Sequence, residues 1–168
     1  MARTGLADEL HEHVASLRRY ALVLTRNAHD AEDLVQDTLT RAIAAAHTWE
    51  PESDLRVWLF RILHNGHISN LRKAKVRRNA RMDLPEPVEE ESQARRIEVQ
   101  QVLAALEEIP EPQRRPIVLV ALEEMSYADA AKALGIPIGT FMSRLGRGRQ
   151  ALRRALGEGK TARLRLVM

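Results

Sequence analysis

The side chains in this sequence that could do chemistry are mostly cations. Arg72-Lys-Ala-Lys-Val-Arg-Arg78 gathers five positive charges in seven residues, and Arg144, Arg147 and Arg149 recur close together near the other end. Such groups hold the phosphates of a polyanion by charge and by hydrogen bonds. Arg72, Lys73, Arg77 and Arg78 are therefore candidate phosphate contacts. Covalent chemistry has no comparable basis here. No carboxylate pair in an apolar setting, no glycine-rich phosphate loop and no nucleophile beside a base stands out. His64 and His67 are three apart, as some metal ligands are, but no carboxylate accompanies them. We expect no metal, no cofactor and no enzyme. The absence of cysteine excludes disulfides, thiol catalysis and Cys-ligated metals.

Net charge is only +3, yet the charges are segregated. Residues 1–54 carry five Lys/Arg and ten Asp/Glu; residues 55–82 carry eight Lys/Arg and no acid. Residues 83–112 reverse this with nine acids, and from Arg144 onward there are eight basic residues and only Glu158 acidic. Two basic blocks parted by an acidic stretch imply two places for nucleic acid.

The elements that must position these groups read as helices. Aromatic residues are only 4% and the apolar content is Leu, Ala, Val and Ile, which favours helices over a sandwich or barrel. Leu10, Val14, Leu17, Ala21 and Leu24 form one stripe; Ala31, Leu34, Val35, Thr38, Ala42 and Ala46 form a second, opening near Asp30. After a loop over 47–54, capped by Ser53 or Asp54, a third long helix carries Leu55, Trp58, Leu59, Ile62, Leu63 and Leu71. Trp58 reads as core, and Trp49 as packing under its loop. Residues 83–94 read as an acidic, proline-containing flexible linker. A helix marked by Ile97, Val99, Val102, Leu103 and Leu106 follows, stopped by Pro110 and Pro112. The run Ile117–Leu122 fits a strand by length and a helix by its neighbours. Ser126-Tyr-Ala-Asp129 has capping-box spacing, Gly135 can close the short helix it opens, and an arginine-rich helix follows. That is a helix-turn-helix. Gly146 and Gly148 predict that its second helix is loose, each costing ~1 kcal/mol relative to Ala.

Three runs resemble bacterial RNA polymerase sigma factors. Asp30-Ala-Glu-Asp-Leu-Val-Gln-Asp-Thr38 is similar to their polymerase-binding helix. Leu55-Arg-Val-Trp-Leu-Phe-Arg-Ile-Leu-His-Asn65 with Leu71-Arg-Lys is similar to the −10-reading and melting segment. Ser126 through Leu145 is similar to the −35-reading helix-turn-helix. Their order and spacing resemble the small extracytoplasmic-function class over roughly residues 10–157. The resemblance implies an all-α protein of two small helical domains: 1–82 of the region 2 type, 83–94 as linker, 95–157 of the region 4 type, and a short basic tail, 158–168. It implies that Asp33, Gln36 and Asp37, which can share one helix face, dock on a coiled coil of the largest subunit of core RNA polymerase. Asn65 falls where the family reads an unpaired base. Thr140, Ser143, Arg144, Arg147 and Arg149 fall on the −35 DNA-binding helix. Met142 stands where a Lys is frequent, and Ser69 where an acid is.

The implied partners are core RNA polymerase, promoter DNA and an anti-sigma factor. No apolar run approaches the ~20 residues of a membrane span and no signal-peptide core opens the chain, so we expect a cytoplasmic protein without stable membrane insertion. Two alternatives remain open at this point. A stand-alone helix-turn-helix regulator explains residues 126–156 alone, and a sigma-like decoy for an anti-sigma factor needs no DNA-reading residues.

Overall fold

A computed structural model describes residues 3–77 and 93–157, with side chains over 9–74 and 100–157. Arg78, linker residues 83–92 and the tail 158–168 lie outside the described residues. Among those described, every regular element is helical, in two compact units.

The first unit is a three-helix assembly. α1 (Arg3–Thr25) buries Leu10, Leu17, Tyr20, Ala21 and Leu24. Arg26 turns the chain with a left-handed φ of 59°, and Asn27 caps α2 (Ala28–Ala44), its side-chain oxygen accepting from the Asp30 N–H at 2.9 Å. The second helix therefore opens two residues before Asp30, because the cap is Asn27 rather than an acid. Its buried face is Ala31, Leu34, Val35, Thr38 and Ala42; Ala46 instead begins a 3-10 turn, Ala46–Thr48. Asp54 caps α3 (Leu55–Arg77), accepting from the N–H of Arg56 and Val57 at 2.8 and 3.3 Å. α2 packs on both α1 and α3, and α1 also meets α3, with Tyr20 and Phe60 ring centroids 5.3 Å apart.

The α3 core face corrects the sequence reading. Leu55, Leu59, Phe60, Leu63, His64 and His67 are buried, whereas Trp58, Ile62 and Leu71 are only half-buried. The period of 3.6 residues puts Phe60 and His67 on the inner side, and Trp58 drifts towards Arg61 and Asn65.

The second unit is built on α7 (Ile138–Leu156), which packs against α4 (Gln93–Glu108) and α5 (Glu111–Ala121). The run Ile117–Ala121 is helical, with Leu122 as the cap that ends it. Pro110 stands between α4 and α5 as the cap of α5, whereas Pro112 lies in the first turn of α5 and Pro116 inside it. Pro112 costs nothing at the first turn, and burial of Ile117, Val118 and Leu119 offsets the N–H missing at Pro116. Leu103 is exposed, so α4 buries Ala105, Leu106 and, just past its end, Ile109. Ser126 caps α6 (Tyr127–Leu134), accepting from the Asp129 N–H at 3.1 Å and donating to the Asp129 carboxylate at 2.7 Å. Gly135 follows at φ 63°, and the Ile136 N–H returns to the Ala131 carbonyl at 3.1 Å.

α7 runs unbroken across both glycines, which differ in kind. A Cβ on Gly148 would sit 2.6 Å from the Gln113 carbonyl oxygen and 2.8 Å from Ile117, so this residue sets how closely α5 and α7 approach. Gly146 has nothing within 4 Å of that position.

Candidate nucleic-acid interface and partner face

On α7 the buried residues Phe141, Leu145, Gly148 and Leu152 define an inner face. At 100° per residue the opposite ridge is Gly139, Ser143, Gly146, Arg147, Gln150 and Arg154. All six are exposed. Thr140 and Arg144, both half-buried, share one flank; Arg149, also half-buried, lies on the other. The five candidates of this helix thus spread over a ridge and two flanks rather than one line.

Their electrostatics differ from those of arginines elsewhere. Arg18 pairs with Glu32 at 2.9 Å, Arg41 with Asp37 at 2.9 Å, and Arg115 with Glu111. α7 contains five arginines and no acid. Arg147 donates from Nη2 to Ser143 Oγ at 2.8 Å and from Nε to the Ser143 carbonyl at 3.3 Å. Arg149 donates from Nη1 to the Tyr127 hydroxyl at 3.2 Å, its Cζ lying 5.8 Å from the centre of that ring. Both guanidinium groups are therefore held by neutral oxygens and keep their full charge. A surface of this kind attracts a polyanion.

In the first unit Asp33, Gln36 and Asp37 lie opposite the buried stripe of α2, with Thr40 between them. Each is held locally. His29 Nε2 lies 3.5 Å from Asp33, Gln36 donates to Glu32 at 3.1 Å, and Asp37 pairs with Arg41. Hydrogen bonds from Arg18 first, and then from Gln36, hold the Glu32 carboxyl below its ordinary range.

Asn65 is exposed on α3, and Arg61 and Arg72 fall on the same face at spacings of four and seven. Lys73 is exposed one residue further on, and Arg77 is the last residue of α3. Half-buried Trp58 and Ile62 border this face, while His64 and His67 turn into the core. Sequence reasoning missed Arg61, whose signal was its position one turn before Asn65. It also missed Tyr127, which no local spacing could connect to a residue 22 positions away.

A three-helix unit with an acidic outward face is joined in sequence to a helix-turn-helix whose arginines no described carboxylate neutralises, an arrangement suited to holding nucleic acid. Comparison with known proteins identifies the class. The family model described as the Sigma2 domain of PhyR matches residues 10–64, and that of Sigma-70, region 4 matches residues 99–152. The extracytoplasmic-function RNA polymerase sigma factor EcfG of Rhodopseudomonas palustris is 37% identical over 150 residues, covering 88% of this chain and 83% of the relative. Sigma factor SigM of Mycobacterium tuberculosis is 34% identical over 154 residues, covering 89% and 76%. The sigma factor RpoE of Bartonella quintana, solved in complex with the anti-sigma factor NepR, superposes with a TM-score of 0.79 at 34% identity, over 90% of this chain and 96% of that one. The chain belongs to the extracytoplasmic-function RNA polymerase sigma factors, non-catalytic subunits that bind core polymerase and direct transcription initiation.

Proposed function

We propose that residues 1–82 dock on core RNA polymerase and open the promoter, that 83–94 link them to 95–157, which read the −35 duplex, and that 158–168 form a trailing basic segment. The observation that carries this reading is the arginine surface of α7, whose charges no described carboxylate neutralises. Asp33, Gln36 and Asp37 meet the coiled coil of the largest polymerase subunit. Asn65 reads an unpaired −10 base, with Arg72, Lys73, Arg77 and Arg78 along the backbone. Thr140, Ser143, Arg144, Arg147 and Arg149 face the upstream duplex. Phosphate contacts there set affinity and base-edge contacts set sequence preference, at ~1–3 kcal/mol per good pair.

The B. quintana relative was solved with an anti-sigma factor. We extend that to this chain: an anti-sigma protein covers the α2 face and competes with polymerase for it. No described helix is long and apolar enough to cross a membrane, in keeping with work in the cytoplasm.

Run-off transcription with core polymerase and a genomic promoter library tests the reading. The chain should direct initiation from a defined promoter set, and Arg144→Ala should lower output most where the upstream element is strong. A chain that binds an anti-sigma protein yet programmes no transcription would instead be a sigma-like decoy.

A further inference from the structure

Arg149 sits on the flank of α7, not on its outward ridge, and its guanidinium is held from another helix. The Tyr127 hydroxyl accepts from Nη1 at 3.2 Å, and the Tyr127 ring lies 5.8 Å from Cζ. That ring in turn packs on Phe141, at 5.9 Å between centroids, and Phe141 is fully buried. Tyr127 itself is 37% exposed. A continuous contact therefore runs from the core through Tyr127 to a cation at the surface. The cation stays unneutralised, because a phenol removes no charge and no described carboxylate pairs with Arg149. Four of its five N–H donors remain for another acceptor.

Tyr127 is also the first residue of α6. In a docked helix-turn-helix the second helix enters the major groove and the first crosses the sugar–phosphate backbone. A guanidinium tied to the start of the first helix sits where the backbone passes, beside the groove rather than in it. The geometry points to Tyr127 as a positioning residue, which holds Arg149 against one backbone phosphate of the upstream duplex. This rests on α7 facing that duplex. The gain is preorganisation: a free arginine side chain loses rotamer entropy when it meets a phosphate, and one already held loses less.

The test uses the full chain assembled with core RNA polymerase. Its promoter duplexes carry a single uncharged methylphosphonate at each upstream phosphate in turn. One linkage should weaken wild-type binding by ~3–10-fold, the loss of one charged contact. Arg149→Ala should erase that penalty. Tyr127→Ala should erase most of it and add nothing further in the Arg149→Ala background. Tyr127→Phe keeps the ring on Phe141, and so the packing, and removes only the hydroxyl; its penalty should fall to about half. Additive effects of the two alanine changes would overturn the assignment, as would a full penalty in both Tyr127 variants. A change confined to melting temperature would overturn it as well. The underlying reading fails separately: if Arg144→Ala and Arg147→Ala also bind unchanged, α7 does not face the duplex at all.

Discussion

Gly146 and Gly148 stand two apart on one helix, and the space around each makes their substitutions opposite in sign. Alanine at 146 meets nothing within 4 Å and removes the helix cost of glycine, so Gly146→Ala should stabilise the second unit by up to ~1 kcal/mol. Alanine at 148 drives a methyl into the Gln113 carbonyl and should destabilise it by ~1–3 kcal/mol. Thermal melting separates the two, at ~4–8 °C per kcal/mol for a unit of this size. Equal melting points would mean that α5 and α7 do not approach as described. Glu32 gives a second test at this scale. Its carboxyl lies below the ordinary 4.5 because Arg18, and then Gln36, donate to the charged form. A lowered carboxylate adds stability above its unfolded pKa, and that stability is lost as pH falls through the lowered value. NMR titration should find Glu32 below its ordinary value in the wild type and higher in Arg18→Ala, where only Gln36 still donates. No difference would mean that the pair does not form in solution.

At the scale of the element, the outward face of α2 can be altered with little effect on the core, Asp37 alone coming near α3, 3.8 Å from a Cβ position on Gly66. Asp33→Arg with Asp37→Arg removes the His29 contact and the Arg41 ion pair, the latter worth ~0.3–0.5 kcal/mol on an exposed helix. We expect melting to change by a few degrees at most and affinity for core polymerase to fall at least tenfold. Unchanged affinity would remove this face from the interface. The α2 face was legible in the sequence because one amphipathic period fixes both its buried and its exposed sides. The helix-turn-helix was legible through Ser126, Asp129 and Gly135, each of which acts within a few residues. What was not legible depended on tertiary contacts. Pro112 looked like a stop but sits in the first turn of α5, and the run after Pro116 fitted a strand by length until its burial against α7 settled it as helix. Trp58 looked like core because its neighbours were apolar, but the rotation of α3 was set by Phe60 meeting Tyr20. Tyr127 gave no sign at all, since its partner is on another helix.

Across the whole molecule, the two proposed partner faces differ in charge. Acids on the outward side of α2 suit a protein partner, and the uncompensated arginines of α7 suit a polyanion. Added salt should therefore weaken promoter binding steeply, by about one unit of logarithmic slope per phosphate contact, and Arg149→Ala should lower that slope by ~1. Filter binding over a salt series reads this directly; an unchanged slope would place Arg149 away from phosphate. An anti-sigma protein that covers the α2 face should in turn be displaced by core polymerase in a competition assay. Simultaneous binding of both would separate the two sites. The outward ridge of α7 has a further consequence. Gly139 and Gly146 have nothing within 4 Å of a Cβ position, and Ser143 and Gln150 are exposed, so no packing constrains these four. Mutation there can drift without cost to folding. If this ridge faces the upstream duplex as proposed, the choice of promoters would be free to diverge between descendants while the scaffold beneath stays the same, and one copy could be recoded to ignore the targets of another.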